Sequence, residues 1–547
     1  MKPERLGPRP RTGLGPAAGL ALAALALALV FQGGLLFGGA LAHFDWAIHW
    51  HYYDWLRIGF QEHGAWARFM NDAWHTANFV ANAQSPALGP LVWLLAWLPT
   101  ELYVKLLITL YTAIGVAGGF VLARDLGARP ALAACAAVLW SCGGFFAAHV
   151  AVGHHWSLGA YWLPWLFLLA RRGRDGSARA WLGVAVVQAL VLLEGQHHPF
   201  LWQNGLVGLW LVLDAAIRRD ARALGGFAAA TLVGVCLAGV RVVPLMLEFS
   251  HYLPEDRIGG LPPGALLFSL TSRAQGPSTS GLGVVFDHGS GWWEYTFYLG
   301  WIGLVFVAVG AAAAVRREAA LLAAGLVAAL LCLDTTRFGF DLWETLRTLP
   351  VASSQRCPSR LLVLGLFAAI FASVVGWERL LAGGLGRRLG ARRASGAFAL
   401  LALVLGVDLV TAARPWQAAA VGPLQASRTH EIFAPRLLPP AVGRVEELHQ
   451  GPNELAYRVE SDRPGFLAVQ VVWDRYGPDW RAEGFETVRA PSGHLAVRIP
   501  AGESEVVLRY RTPGLAAGAA LSLATALGLG GWLLLRSRGP WTRSRAE

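Results

Sequence analysis

The sequence predicts a mainly α, polytopic transmembrane protein of about twelve spans, with a small extracytoplasmic β-sandwich near its C-terminus. Three observations carry that expectation. The chain is 55% hydrophobic and only 15% charged over 547 residues, whereas a soluble domain carries about a quarter charged residues. Its apolar residues come in long blocks: Leu14–Phe37, Leu102–Leu122, Ala223–Val243 and Leu515–Leu535 are each close to the roughly 20 residues that cross a bilayer core. From Pro415 to about Pro513 the pattern changes to alternation, in "NELAYRVE", "GFLAVQVVW", "HLAVRIP" and "EVVLRYR", with Gly, Pro, Asp and Asn turns between the runs.

Arginine placement orients the spans. Clusters fall at Lys2–Arg11, Arg124/Arg129, Arg171–Arg179, Arg218–Arg222, Arg316/Arg317, Arg379–Arg393 and Arg536–Arg545. Placing all of them on the cytoplasmic side requires spans near 14–38, 101–124, 130–148, 156–171, 179–194, 199–217, 223–245, 296–315, 318–334, 359–380, 396–414 and 515–535. Both termini are then cytoplasmic. Pro86–Pro99 is too short to span and reads as a re-entrant or interfacial half-helix. The 15 histidines all fall on the outer side of this arrangement, so any chemistry is expected outside.

The domains follow from the same pattern. Residues 1–414 form the transmembrane domain, with a long outer loop at 43–85. Residues 415–513 form the outer β-domain, and 514–547 the last span and a cytoplasmic tail. "GGALA" at Gly38–Ala42 mimics a signal-peptidase site, but the apolar stretch before it is long for a signal and reads as an uncleaved span. Net charge is +11. Its arginines lie in short loops between spans, so the charge is topological and nucleic acid is not an expected partner. The five cysteines have neither metal-ligand nor redox-pair spacing, so no disulfide framework or zinc site is expected.

Ionisable groups near a bilayer are costly and default to functional candidates. Three sets stand out. The first is the loop "FDWAIHWHYYDWLRIGFQEHG" with Asp45, Asp54, Glu62 and His63, followed by Asp72 and His75. Asp45 comes a few residues after the first span, where a partly desolvated carboxylate can serve as a general base or hold a metal. Its neighbours Phe44 and Trp46 are expected to exclude water and raise its pKa. For Asp54, Glu62 and Asp72 the competing reading is the polar face of interfacial helices. The second set is "HVAVGHHW" with His154 and His155, and "EGQHHPFLWQN" with Glu194, His197 and His198. Adjacent histidines do not share one helix face, so hydrogen bonding to a polyhydroxyl or phosphate ligand is favoured over metal ligation. The third is "SSQRCPSRLLVL", in which Arg356 and Arg360 flank Pro358. Guanidinium forks suit phosphate, and lipid-headgroup anchoring is the competing reading.

With these motifs the chain resembles the GT-C superfamily of integral-membrane glycosyltransferases, most closely its bacterial YfhO-like branch. Asp45 lies where the superfamily's first-loop catalytic acid lies. "ANAQSPALGPL", which contains Asn82 and Gln84, is similar to an Asn-x-Gln-Ser…Pro stretch. "GGFFAAHVAVGHHWSLGAYWLPWLFL", "QRCPSRLLVL" and "WDRYGPDWRAE" with "IPAGESEVVLRYRTPG" resemble further elements of that branch. The resemblance implies a polyprenyl-phosphate sugar donor whose tail lies in the bilayer and whose phosphate lies near Arg356 and Arg360. It implies a glycan, lipid or protein acceptor activated by Asp45, and inversion at the anomeric carbon in the plasma membrane. Asp54 is the second candidate base, and Asn82, Gln84, His154, His155, Glu194, His197 and His198 are candidate substrate contacts. Some members use a divalent metal, Mg or Mn; nothing in this sequence requires one.

Two other classes compete. A lipid transporter or flippase would place ionisable residues deep in its spans. A non-catalytic envelope-assembly protein would use the β-domain for partner binding.

Overall fold

A computed structural model describes residues 14–71, 76–248, 259–278, 291–348, 355, 357–423, 435–473 and 477–538. Long apolar helices dominate, and their ends obey local rules. The helix Thr100–Asp125 follows Pro99, with Glu101 in its first turn and Arg124 in its last, the charge order that complements the helix dipole. Pro130 and Pro164 open the helices Pro130–Ser141 and Leu163–Arg174, where a missing N–H costs nothing. Ser177 caps Ala178–Leu193, its hydroxyl accepting from the Ala180 N–H.

Among the described residues, seven helical segments are long and apolar enough to cross a membrane: Thr100–Asp125, Pro130–Ala151, His197–Arg218, Trp292–Ala314, Pro358–Ala382, Ala391–Ala420 and Leu515–Leu535. An eighth is a pair, Arg222–Leu237 and Gly239–Glu248, bent by 82°. By length and composition these give seven, or up to eight, of the about twelve spans expected. The segments near 179–194 and 318–334 form helices of 16 and 13 residues, about 24 and 20 Å at the α-helical rise, which is short of a bilayer core. Segment 156–171 divides into a 3-10 turn, His155–Trp162, and the helix Leu163–Arg174. The first helix, Leu14–Phe31, breaks at Gln32, whose side chain turns inward to donate to Thr112 Oγ1 at 3.1 Å.

Close helix packing uses glycine where nothing larger fits. A Cβ on Gly376 would lie 1.7 Å from the Gly310 carbonyl oxygen, so Gly300–Ala314 and Leu362–Ala382 meet backbone to backbone. The helix Ala391–Ala420 continues through Pro415, past the expected domain boundary at 414/415. Buried Trp416 and Gln417 hold its last turn: Gln417 Nε2 donates to Phe31 O at 2.6 Å and its Oε1 accepts from Gly34 N at 3.2 Å. Strands β1 (Ala40–Leu41) and β4 (Val421–Gly422) then pair antiparallel, joining the chain after the first helices to the end of Ala391–Ala420.

The outer loop contains one amphipathic helix, Trp46–Gln61, burying Trp46, His49, Tyr52, Tyr53, Leu56 and Gly59, a helical 3–4 spacing. A hairpin follows, β2 (Phe69–Asn71) with β3 (Thr76–Asn78). Pro86–Pro99 forms a 3-10 turn at Val92–Ala96 rather than a half-helix, with Trp93 and Trp97 exposed.

The C-terminal region is the expected antiparallel sandwich. One sheet has the order β10 (Thr487–Arg489), β11 (His494–Ile499), β8 (Gly465–Val472), β5 (Arg436–Leu438). The other has β6 (Gly443–Gln450), β7 (Glu454–Ser461), β12 (Gly502–Tyr510), β9 (Trp480–Ala482). Its core is completed by Phe69 from the outer loop, fully buried against Trp480 and Tyr510 at ring separations of 5.2 and 4.5 Å. Asn453 ties the same junction, accepting from Arg68 N and donating to Trp66 O, both at 2.9 Å.

Phe69→Ala should therefore cost about 3–5 kcal/mol at the junction. Hydrogen exchange in detergent should show lost protection in Leu455–Val459 and Val506–Tyr510, with the helical bundle unchanged. Wild-type protection in those two strands would show that the sandwich does not depend on the loop.

Candidate functional site

The loop helix begins at an unusual backbone. Phe44 has φ 57°, a left-handed conformation that costs a bulky residue on the order of 1–3 kcal/mol and clusters at functional sites. Asp45 follows at the N-cap position. An aspartate there ordinarily accepts a hydrogen bond from the first turn; this one makes no such bond. Its carboxylate is turned instead to His154, Oδ2 to Nε2 at 3.0 Å, and the side chain is 46% exposed against 7% for His154.

The turn at Val150–His154 holds this geometry. Asp45 N donates to Val152 O at 3.0 Å, and Trp46 Nε1 donates to Val150 O at 3.0 Å. Gly153, at φ +89°, lets the strands of the turn touch: a Cβ there would sit 2.3 Å from Trp46 N. Behind His154, His149 Nδ1 meets His154 Nδ1 at 2.7 Å, so one ring donates and the other accepts. Both ring nitrogens of His154 are engaged. Burial alone would push the Asp45 carboxyl up; the hydrogen bond and charge of His154, with the fields of His49 and Arg360, outweigh that and hold it well below the ordinary carboxylate range. This corrects the expectation of a raised pKa. Asp45 is ionised at neutral pH, with one oxygen fixed and the carboxylate open to approach.

Beneath this pair lies a buried ion pair. Arg360 donates to Glu294 through both arms of its fork, Nε to Oε2 at 2.6 Å and Nη2 to Oε1 at 2.5 Å, with side chains 5% and 2% exposed. Its guanidinium also lies 4.5 Å over the Trp156 ring. Arg360, expected at a phosphate, makes a bidentate carboxylate contact in this structure. Arg356, Asp72 and His75 lie outside the described residues.

The remaining candidates face the protein rather than an open lip. His155 Nε2 donates to Gln84 O at 2.5 Å, and burial pushes its imidazole well below the usual histidine range. The His155 ring stands edge-on to His49 at 4.1 Å. His197 Nδ1 donates to Ala83 O at 3.2 Å, and His198 Nδ1 to Gln355 Oε1 at 2.8 Å. Glu194 is buried against Gly89, where a Cβ would meet its carboxylate at 2.5 Å, and its Oε1 has no hydrogen-bond partner. Asn82 and Gln84 are half-buried; Asn82 Oδ1 accepts from Gln84 N at 2.9 Å. Asp54 is separate from Asp45 in role: Arg57 Nε at 2.8 Å and Thr100 Oγ1 at 2.7 Å both donate to its Oδ1.

The structure thus gathers Asp45, His154 and His155 with two side chains not singled out in the sequence, His49 and His149, over the Arg360–Glu294 pair. Glu294, in "GWWEYTFYLG", and Arg241, in "CLAGVRVVPLML", were also missed. A charge inside an apolar run was the available signal for both. For Mg or Mn, which favour several oxygen ligands, the donor set does not fit. Among the described residues Asp45 is the one carboxylate open at this point, its histidine is bonded on both nitrogens, and there is no group of three His, Cys, Asp or Glu side chains arranged to hold a metal.

No family model matches the chain, and no curated protein matches it. Among solved structures it is similar to the cryo-EM structure of arabinofuranosyltransferase AftD from Mycobacteria, with 17% identity and a TM-score of 0.46 over 76% of this chain. The chain spans 27% of that protein's length.

Proposed function

We propose that the protein is a membrane glycosyltransferase of the GT-C kind, in its YfhO-like branch, that moves a sugar from a polyprenyl-phosphate donor to an envelope glycan, lipid or protein acceptor on the outer membrane face. The observation that carries this reading is the Asp45 carboxylate: at a helix start but not capping it, ionised, half open, and fixed on one oxygen by His154. The sequence motifs around Asn82, His154 and Arg360 support it.

The resemblance implies the reaction, and the Asp45 geometry supports it. An acceptor hydroxyl donates to the free face of Asp45, and its proton passes to the carboxylate as the oxygen attacks the anomeric carbon from the side opposite the phosphate. The bond from that carbon to the phosphate oxygen breaks, its electron pair leaves with the phosphate, and the anomeric centre inverts. His154 keeps the carboxylate oriented and ionised. The resemblance gives the phosphate contact to Arg356 and Arg360, and Arg360 is also held by Glu294 and stacked over Trp156.

A transporter is the weaker reading. Its buried charges would line a path, whereas the Arg360 fork is closed by Glu294 and Arg241 is closed by backbone carbonyls.

Asp45→Asn should lower transfer by purified protein about 10²- to 10⁴-fold, the usual worth of a general base, with expression unchanged. Asp54→Asn should cost much less, because Asp54 serves Arg57 and Thr100. Labelled polyprenyl-phosphate sugars provide the assay, and near-wild-type transfer by Asp45→Asn would sink the assignment.

The pH dependence has a definite sign. Asp45 is held ionised by His154, so the acid limb of the rate should lie below the ordinary carboxylate range. His154→Ala removes the lowering partner and leaves burial, which raises the pKa. The acid limb should then move up by about one to two pH units. A limb that stays in place in His154→Ala would show that Asp45 does not set it.

Sidedness is tested separately. Ser177→Cys should be silent, and Ser492→Cys reactive, toward an impermeant thiol reagent in intact cells. The reverse pattern would invert the topology.

A further inference from the structure

The chain bends by 82° between Arg222–Leu237 and the short helix Gly239–Glu248, which packs chiefly on Leu515–Arg538. The short helix carries two buried charged side chains, Arg241 and Glu248. They are seven apart, two helical turns, and so share one face. Both act on one stretch of the outer loop.

At one end, Glu248 accepts a short hydrogen bond from Asn78 Nδ2. Asn78 Oδ1 in turn accepts from Val80 N at 3.1 Å and Ala81 N at 3.2 Å. At the other end, Arg241 Nη1 donates to Asn82 O at 2.6 Å and Val80 O at 3.3 Å, and Nη2 donates to Ser85 O at 2.7 Å and Leu193 O at 3.1 Å. The two carbonyls between are taken by the buried histidines, Ala83 O by His197 and Gln84 O by His155. Every carbonyl from Asn82 to Ser85 is therefore held from the protein side. Gly195, at φ +74°, presses on the same stretch: a Cβ there would sit 2.4 Å from Ser85 O.

Burying a guanidinium is costly, and hydrogen bonds to carbonyls recover that cost only with good geometry. Packing alone would be served more cheaply by an apolar residue. Asn82 turns its amide back into the loop, Oδ1 accepting from Gln84 N at 2.9 Å, so among the described residues the loop amide that these contacts leave over is that of half-buried Gln84. The loop abuts His155, whose neighbour His154 holds Asp45.

We infer that Gly239–Glu248 is a clamp for the loop Asn78–Ser85, with Arg241 and Glu248 as positioning residues, and that the loop so held presents the Gln84 amide to the hydroxyls of the transferred sugar. Amides, which both donate and accept, suit a polyhydroxyl ligand. The sugar-reading half rests on the glycosyltransferase reading; the clamp does not.

The test has two arms. In hydrogen exchange on the full-length protein in detergent, Arg241→Lys keeps the charge but cannot reach four carbonyls. It should lose protection over Val80–Ser85 while the rest of the chain and the melting temperature stay as in wild type. Gly195→Ala should disturb the same amides from the other side, which covers the case in which Arg241→Lys fails to fold. Unchanged protection at Val80–Ser85 in either folded variant overturns the clamp. In the second arm, a deletion strain is complemented with each variant, and the envelope glycan made from the cell's own donor is quantified by mass spectrometry. Arg241→Lys and Gln84→Ala should each lower product about ten- to hundred-fold, the scale of a misplaced substrate contact. The double variant should be no lower than Arg241→Lys alone, because both act through one contact. Losses that multiply overturn the sugar-reading half. If Asp45→Asn also leaves product unchanged, the glycosyltransferase reading fails, while the exchange result still decides the clamp.

Discussion

The site depends on one close approach, that of the turn Val150–His154 to the start of the loop helix. Gly153 permits it, the Asp45 N–H and the Trp46 indole fix it with two carbonyl bonds, and His154 completes it. Without that approach, Asp45 would be an ordinary helix cap, accepting from its own first turn. With it, the carboxylate is removed from capping and its charge is held by an imidazole. The strained backbone at Phe44 fits the same constraint, since strain of this kind persists only where the surroundings over-determine it.

An apolar chain raises the cost of every buried polar group, and the structure answers with complete pairing at its most expensive points. Arg360 is matched arm for arm by Glu294 and covered by Trp156. Arg241 is matched by backbone carbonyls of a loop that has no regular secondary structure to satisfy them. Such pairs are weak evidence for stability, because desolvation offsets much of the attraction. They are stronger evidence for fixed geometry: removing one partner leaves an uncompensated charge, so the arrangement tolerates few alternatives.

The sequence made the broad architecture legible because its signals are local. Long apolar blocks and alternation at period two each report on a single element, and both the helices and the sandwich appear where those patterns stand. Span number was less legible. It depends on breaks that hydropathy does not register: the inward turn of Gln32, the 3-10 stretch after His155, and the bend after Leu237. The helix continuing through Pro415 was hidden for the related reason that tertiary burial of Trp416 and Gln417 outweighs the local proline signal. At the site, Asp45 and His154 were visible as unusual residues, but their bond joins positions over a hundred residues apart. The partner of Arg360 lies 66 residues away in a segment that reads as an aromatic membrane boundary. Pairing of that kind is a property of the folded chain, and it adds a buried carboxylate partner to the reading of Arg360.

The sandwich is not an independent appendage in this arrangement. Phe69 belongs to the loop by sequence and to the sandwich by packing. The Trp55 indole donates to the Phe69 carbonyl at 2.9 Å, so the helix that begins at Asp45 is bonded, three turns later, to the hairpin that carries Phe69. The loop helix is thus fixed at both ends, by the Val150–His154 turn at its start and by the sandwich near its finish. A helix held at two points resists tilting about either one. The β-domain can therefore act on the orientation of Asp45 without contributing any acid or base of its own, which explains how a region lacking a clustered reactive set is built onto the loop that carries the candidate site.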